Sequence, residues 1–196
     1  MNKRTGMVRR TTNETSIELE LCLDGSGTVE VRTGLGFLDH MFTALAHHAR
    51  FDLHLQCKGD LNVDDHHTTE DCAIAFGQAF LQATGDRRGV QRFGYAYAPL
   101  DEALARAVVD LSGRPFATVN VERTRERIGD VSCENLLHVF QSLAMEARIT
   151  LHIDVLRGNN DHHRIEAAFK ALALSLRQAV SLTTTATVPS TKGVLC

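Results

Sequence analysis

The sequence predicts an α+β fold that is built from two related halves, each a small sheet covered by helices. Short stretches alternate apolar and polar side chains, as half-buried strands do, and longer stretches place apolar residues three and four apart, as helices do. The second half also repeats the first. A shift of 98 matches Leu38, His40, Phe42, Arg50 and His54 with Leu136, His138, Phe140, Arg148 and His152, and a shift of 96 matches Asp65, His66, His67, Glu70 and Gln82 with Asp161, His162, His163, Glu166 and Gln178. Because this period is far longer than that of solenoid repeats, we infer two β-β-α-β-α halves related by a pseudo-twofold axis.

The elements of the first half follow from these patterns in order. Residues 16–23 alternate and predict a strand, and a Gly-rich turn separates them from a second strand at 28–32. A helical pattern begins at Phe37, and residues 51–57 alternate again. A second helix extends to about Ala83, with Asp64 or Asp65 placed to cap its N-terminus.

The second half gives a similar series of elements. In order, the patterns predict strands at 93–97, 103–111 and 116–121, a solvent-exposed charged loop at 123–130, a helix at 134–148, a strand at 149–155 and a helix from 161 to about 180. We therefore expect residues 1–90 and 91–180 to form the two halves. The polar, Thr-rich residues 181–196 would form a C-terminal tail that closes over the substrate.

Composition and charge exclude several classes of protein. The 196 residues are 43% hydrophobic with a net charge of −3, which does not suit a partner such as nucleic acid or an anionic membrane. No apolar run approaches the roughly 18 residues of a membrane span, and residues 1–10 lack the apolar segment of a secretory signal. The five cysteines are scattered without a Cys-x-x-Cys motif, which indicates reduced thiols and a cytoplasmic location.

Four of the ten histidines belong to a motif that occurs twice. Asp-His-His-x-x-Glu occurs at 65–70 and at 161–166, each time at the start of a predicted helix. Adjacent helical residues point about 100° apart, while either histidine can share a face with the glutamate three or four residues later. Each His-His pair is therefore expected to serve two metals. The two halves offer the same ligands, namely His40, His66, His67 and Glu70, then His138, His162, His163 and Glu166.

This donor set predicts a catalytic two-metal site. Imidazole nitrogens with a carboxylate and no thiolate suit Mn, Fe, Co, Ni or Zn. We expect each ion to take three histidines and one glutamate, which leaves coordination positions open for a substrate.

Several cations stand where loops or helix faces could meet the site, and they suit a phosphate. They are Arg92, Arg114, Lys170 and Lys192. Lys170 lies one helical turn beyond Glu166 and on the same face. The segment Pro189-Ser190-Thr191-Lys192-Gly193 adds hydroxyls, backbone N–H groups and an ammonium in a tail suited to closing over an anion.

As a set, these motifs resemble those of the imidazoleglycerol-phosphate dehydratase family of histidine biosynthesis. The segments that carry the resemblance are Gly36-Phe37-Leu38-Asp39-His40-Met41, Asp64-Asp65-His66-His67-Thr68-Thr69-Glu70-Asp71, Arg92-Phe93-Gly94, Asp101-Glu102-Ala103, Ser112-Gly113-Arg114-Pro115, Asn160-Asp161-His162-His163-Arg164-Ile165-Glu166 and Pro189-Ser190-Thr191-Lys192-Gly193. Together they cover nearly the whole chain and are highly specific. No phosphatase domain accompanies them, so the chain resembles the single-function form.

The resemblance implies a hydro-lyase that converts D-erythro-imidazole-glycerol phosphate to imidazole-acetol phosphate, through a metal-bound imidazolate and a diazafulvene-like intermediate. It implies two Mn²⁺ ions per active site, held by the eight histidine and glutamate ligands. It implies substrate binding by Glu14, Arg92, Arg114, Lys170, Ser190, Thr191 and Lys192. The family forms a homo-oligomer of 24 subunits with active sites between chains, so we expect such an assembly here.

The catalytic base is the least determined part of the prediction. Glu14 matches a substrate-contacting glutamate of the family and is the best candidate, because Glu70 and Glu166 are expected to be ligands. Asp101 lies 87 residues further on and is the candidate for its catalytic counterpart in the second half. Two other functions stay open at this point. One is a non-catalytic His-rich metal-binding protein, and the other is a two-metal phosphohydrolase, which would normally use a bridging carboxylate.

Overall fold

The computed structural model describes residues 3–185, 187–193 and 195, and it contains ten strands and four helices in that part of the chain. The first half comprises β1 (Thr5–Thr11), β2 (Thr15–Cys22), β3 (Val29–Arg32), α1 (Gly36–Ala49), β4 (Asp52–Gly59) and α2 (His66–Thr84). The second half comprises β5 (Phe93–Leu100), β6 (Ala103–Asp110), β7 (Phe116–Asn120), β8 (Arg127–Ile128), β9 (Val131–Ser132), α3 (Cys133–Glu146), β10 (Thr150–Arg157) and α4 (Asp161–Ala179).

The two main sheets share one topology, which confirms the predicted α+β fold of two related halves. Their strand orders are β1-β2-β4-β3 and β5-β6-β10-β7. In each sheet the first two pairs are antiparallel and the last pair is parallel. The parallel pair is connected through a helix, α1 in the first half and α3 in the second, as a parallel connection requires.

The sequence pattern does not predict β1, the edge strand of the first sheet. Its buried face carries only Gly6 and Val8, so the alternation of large apolar residues that marks a strand is missing. Gly6 is needed there because a Cβ at this position would lie 2.0 Å from the carbonyl oxygen of Ala79 on α2. Gly94 of β5 approaches Ser175 on α4 in the same way, at 1.9 Å. Close packing of a helix on an edge strand therefore recurs in both halves.

The helices lie between the two sheets and join the halves into one core. α2 packs against its own sheet and against α3, and α4 packs against its own sheet and against α1. Inward side chains such as Leu19 and Leu53 in the first sheet and Ala107 and Ile153 in the second are fully or almost fully buried. Burying a large aliphatic side chain of this kind stabilises the fold by roughly 1.5–3 kcal/mol. Among the helices of the described residues, none has the length and apolar character needed to span a membrane.

Candidate metal centres

The first group of candidate ligands, called here the His40 cluster, consists of His40, His162 and Glu166. Oε2 of Glu166 lies 3.0 Å from Nε2 of His40 and 3.2 Å from Nε2 of His162. Its other oxygen forms an ion pair with Nζ of Lys170 at 2.6 Å. Burial raises the pKa of Glu166, but the hydrogen bonds from Lys170 and His40 outweigh this effect and lower the pKa to about 2. The carboxylate is therefore ionised at neutral pH.

The second group, called the His66 cluster, consists of His66, Glu70 and His138. The two oxygens of Glu70 lie 3.6 Å from Nε2 of His66 and 3.4 Å from Nε2 of His138. All three side chains are partly exposed. Ile74 stands where the shift of 96 places Lys170 in the other half, so the two clusters differ in their electrostatic surroundings.

Each cluster combines residues from both halves of the chain. His40 of the first half joins the His-His-x-x-Glu motif of the second, and His138 of the second half joins the motif of the first. This exchange follows from helix packing, because α1 lies against α4 and α2 lies against α3. The sequence motifs predict the candidate ligands but not this pairing.

Both clusters fit a divalent metal ion in the kind and spacing of their donors. In each, the imidazole nitrogens and the carboxylate oxygen lie within 4.8 Å of one another. Two donors bound to one ion at about 2.1–2.2 Å would lie roughly 3.0–3.6 Å apart. In the His40 cluster both nitrogens lie in this range from one oxygen of Glu166, at 3.0 and 3.2 Å. In the His66 cluster each nitrogen lies in this range from a different oxygen of Glu70, at 3.4 and 3.6 Å. The residues present can therefore hold a metal.

Hydrogen bonds to the far ring nitrogens orient the histidines of the His66 cluster. Nδ1 of His66 lies 2.9 Å from Oδ1 of Asn135, and Nδ1 of His138 lies 3.0 Å from Oγ of Ser142. An imidazole whose Nδ1–H is donated in this way keeps the lone pair of Nε2 available for a metal.

Two pairs of polar residues hold the motifs at the starts of α2 and α4. Oδ1 of Asp64 accepts a hydrogen bond from the backbone N–H of His66, and Oδ1 of Asn160 accepts one from His162. Asp64 therefore provides the predicted cap of α2. Asp65 turns inward instead and accepts from the backbone N–H of Ser132 at 2.7 Å, which ties the start of α2 to the start of α3.

The segment predicted as a charged loop contains a small hairpin, β8–β9, that the motifs help to hold. Asp161 accepts hydrogen bonds from the backbone N–H groups of Thr124 and Arg125 at 2.7 and 2.6 Å. Burial raises the pKa of Asp161, but these and other hydrogen bonds outweigh it, so the pKa lies below its usual value. The segment is thus fixed at one end by Asp161 and at the other by Asp65.

His67 and His163 lie outside the clusters of their own chain. Nδ1 of His67 is 3.0 Å from Asp60, and its Nε2 is 3.5 Å from Glu14. The hydrogen bond with Asp60 raises the pKa of His67 above its usual value. Within one chain, each cluster therefore has two histidines and one glutamate rather than the three histidines and one glutamate that we expected.

His163 shows a related arrangement with different partners. Nδ1 of His163 lies 2.7 Å from Glu102, and its Nε2 lies 3.9 Å from Asp101. The hydrogen bonds from His163 and from two backbone N–H groups lower the pKa of Glu102 to about 2. Sequence reasoning placed Asp101 here but did not assign a role to Glu102 or to Asp60.

Comparisons with known proteins show the family of this chain. A family model described as imidazoleglycerol-phosphate dehydratase matches residues 33–176. The chain belongs to this family. It is 52% identical to the imidazoleglycerol-phosphate dehydratase of Saccharomyces cerevisiae over 219 residues, covering 100% of both chains. It is 58% identical to the protein of that name from Phytophthora nicotianae over 192 residues, which is 98% of this chain but 42% of that longer protein.

Solved structures of the family also match the fold. The imidazoleglycerol-phosphate dehydratase of Staphylococcus aureus has a TM-score of 0.83 at 37% identity, covering 91% of this chain and 99% of that one. The Pyrococcus furiosus enzyme, solved in complex with (S)-C348, also has a TM-score of 0.83 at 38% identity, covering 96% of this chain and all of that one. The resemblance found in the sequence motifs is confirmed, and dehydratases of this family are hydro-lyases, as expected.

The residues that the family resemblance assigns to phosphate lie mostly at the other end of α4. Two nitrogens of Arg92 donate to Asp110 at 2.7 and 3.1 Å, and a third donates to the carbonyl of Pro189 at 2.7 Å. The backbone N–H of Arg92 bonds to the carbonyl of Ala179, at the C-terminal end of α4. Arg92 is therefore in contact with Pro189, the first residue of the segment 189–193 in the tail.

The other predicted phosphate-binding residues lie in three places, namely after β6, in the tail and on α4. Arg114 is exposed and follows β6 closely, at the same end as Arg92. Oγ of Ser190 accepts from the backbone N–H of Lys192, and Thr191 and Lys192 are exposed. Of these residues, Lys170 is the one that lies beside the His40 cluster, through its ion pair with Glu166.

Proposed function

We propose that this protein catalyses the Mn²⁺-dependent dehydration of D-erythro-imidazole-glycerol phosphate to imidazole-acetol phosphate in histidine biosynthesis. The observation that carries the proposal is the pair of His₂Glu clusters in a chain of the imidazoleglycerol-phosphate dehydratase family. Two clusters with the same donor set suit a flat heterocycle that has two ring nitrogens, because each nitrogen can face one ion.

Some of the eight predicted ligands lie within a cluster, and the others must complete the coordination of a metal bound at a cluster. The two clusters of one chain supply six ligands, and His67 and His163 supply the remaining two. The bound Mn²⁺ ions would stabilise the anion of the substrate imidazole and so supply the electron sink that a C–H bond without a neighbouring carbonyl lacks. The ring contacts of Asn135 and Ser142 keep the Nε2 atoms of the His66 cluster directed at such an ion.

Completion of the sites requires more than one copy of the chain. Ala179, which contacts Arg92, lies thirteen residues beyond Glu166 on α4, or about 20 Å along the helix axis. A phosphate held by Arg92 and the tail is therefore too far from the His40 cluster of the same chain. We assign a homo-oligomer, of 24 subunits as in the family, in which neighbouring copies contribute to each site. The exposed aromatic side chains of Phe93, Tyr95 and Tyr97 on the outer face of β5 support such contacts.

Glu14 is the proposed base for the substrate proton. Its carboxylate lies 3.5 Å from Nε2 of His67 and is half exposed, so a substrate can reach it. Glu70 and Glu166 face imidazole nitrogens in the clusters and are assigned to the metals instead. Asp101 occupies the corresponding place beside Nε2 of His163 and is the second catalytic candidate.

The phosphate end of the substrate is assigned to Arg92, Arg114, Lys170 and the tail residues Ser190, Thr191 and Lys192. The contact of Arg92 with Pro189 supports a tail that closes next to a guanidinium. Holding the phosphate orients the reacting carbon relative to the base. Positions 186, 194 and 196 of the tail, 181–196, lie outside the described residues. The last of them is Cys196, one of the five cysteines of the sequence.

Two broader parts of the proposal concern organisation and location. The division into related halves at 1–90 and 91–180 is supported by their shared strand order. A cytoplasmic location is supported by the scattered cysteines of the sequence.

The test is to incubate the metal-stripped protein with Mn²⁺ and the imidazole triol phosphate, and to follow ketone absorbance and phosphate release together. We expect ketone formation that requires Mn²⁺, without phosphate release. Release of phosphate would indicate a phosphohydrolase, and metal binding with no change in the substrate would indicate a metal-binding protein. Either result would refute the proposed function.

A further inference from the structure

We propose that Glu102 is a positioning residue that holds His163 for metal binding, and that the two halves of the chain use different side chains for this task. The inference rests on the proposed metal-dependent function, because it concerns a histidine assigned to that site.

Glu102 holds both the ring of His163 and the backbone in front of it. Its Oε2 lies 2.7 Å from Nδ1 of His163. Its Oε1 accepts from the backbone N–H groups of Asn159 and Asn160 at 3.0 and 2.9 Å, immediately before α4. One carboxylate thus fixes the start of the helix and the orientation of the imidazole together, and it leaves Nε2 directed away from Glu102.

In the first half a different residue performs this task. Nδ1 of His67 lies 3.0 Å from Oδ2 of Asp60, the residue that follows β4. The shift of 98 that relates β4 to β10 sends Asp60 to Gly158. Glycine has no carboxylate, and the loop before α4 is two residues shorter than the loop before α2, so the second half needs another partner for its histidine.

Strand register identifies where that partner comes from. The pair Gly6 and Leu21 in β1–β2 corresponds to Gly94 and Val109 in β5–β6, a shift of 88. The same shift sends Glu14 to Glu102. These two glutamates therefore occupy the same place in their hairpins but face opposite nitrogens of their histidines.

This difference makes the two halves chemically unequal. Glu102 is bonded to Nδ1 of His163 and to two backbone N–H groups, whereas Glu14 lies beside Nε2 of His67 on the side open to a substrate. The carboxylate near Nε2 of His163 is Asp101, whose side chain is 75% exposed. Loss of a hydrogen bond to the far nitrogen of a metal-bound histidine typically costs 10–100-fold in metal affinity.

The experiment is a Mn²⁺ titration of the metal-stripped full-length protein, with free Mn²⁺ followed by its electron paramagnetic resonance signal. The variants are Glu102→Gln, Glu102→Ala and Asp60→Asn. The matched control is Asp154→Asn, which removes a carboxylate on β10 that is held by Arg106 and Asn120 rather than by a histidine of the site. Thermal unfolding of each variant checks that it is folded.

We expect both Glu102 variants to weaken binding of half of the Mn²⁺ ions by 10–100-fold and to leave the other half unchanged. Asp60→Asn should weaken the other half, and Asp154→Asn should bind as the wild type does. The proposal is overturned if Glu102→Gln binds every ion with wild-type affinity. This conclusion also holds when Glu102→Ala loses metal but its thermal unfolding shows that it is unfolded. Wild-type affinity in Glu102→Gln would leave the proposed function unaffected. A wild-type protein that does not bind Mn²⁺ tightly would overturn both the proposed function and the role of Glu102.

Discussion

Replacement of Asp65 measures how strongly the scaffold holds the His66 cluster. The carboxylate is 3% exposed and accepts from the backbone N–H of Ser132 at 2.7 Å and from Nδ2 of Asn135 at 2.9 Å. Asp65→Ala leaves the part-buried N–H of Ser132 and the buried Nδ2 of Asn135 unpaired. Each unpaired donor costs about 1–3 kcal/mol, so we expect a loss of about 4 kcal/mol in the free energy of unfolding. Asp65→Asn keeps one acceptor oxygen and loses mainly the charge, so its expected cost is about 2 kcal/mol.

The assay is urea unfolding of the metal-stripped protein by circular dichroism, with all variants at one protein concentration. Asp86→Asn is the control, because its side chain is 72% exposed and its loss should change the stability by less than about 0.5 kcal/mol. Asn135 also contacts Nδ1 of His66, so Asp65→Ala should weaken Mn²⁺ binding at the His66 cluster in addition. The reasoning is refuted if the unfolding free energy of Asp65→Ala lies within about 1 kcal/mol of the wild type. It is also refuted if Asp65→Asn loses more stability than Asp65→Ala.

Three further predictions concern packing, acid stability and substrate binding. Gly94→Ala places a Cβ 1.9 Å from the carbonyl of Ser175 and should lower the unfolding free energy by about 3 kcal/mol or more in urea titrations, so an unchanged midpoint would contradict the close packing. The pKa of Asp161 is lowered in the folded state. As the pH falls, the unfolded state therefore takes up a proton at Asp161 before the folded state does, and the stabilisation from this carboxylate is lost below the usual pKa of 3.8. Asp161→Asn should therefore be less stable at pH 7 and show a smaller further loss between pH 5 and 3 than the wild type; equal pH dependence would exclude the effect. Lys192→Ala should raise KM at least about tenfold with a smaller change in kcat, and steady-state kinetics that show the reverse would exclude a role in phosphate binding.

Residue types and spacing are sufficient to predict the fold class and the His-His-x-x-Glu motifs that contribute to both clusters, because each has a clear sequence pattern. The His-His-x-x-Glu motif begins a helix in both halves, and the shift of 96 gives the second copy directly. The pairing of the motifs with His40 and His138 depends on which helices are neighbours. No local pattern contains that information, so the sequence alone predicts the candidate ligands of each half but not which of them meet.

The other differences have similar physical causes. The alternation pattern does not predict β1, because Gly6 is needed for a close helix contact and stands in place of a large apolar residue. The role of Glu102 depends on a hairpin register and on a loop shortened by two residues, and neither is visible until the strands are paired. A shift of 87 relates Glu14 to Asp101, whereas the shift of 88 that the strand register gives relates it to Glu102.

The most direct test of the account is anomalous diffraction at the manganese edge from crystals of the Mn²⁺-loaded protein. We predict two anomalous peaks per chain, one bound by His40, His162 and Glu166 and one by His66, Glu70 and His138, each completed by Nε2 of His67 or His163 from a second copy. Peaks located away from these clusters, or ions coordinated without any contribution from His67 and His163, would contradict it.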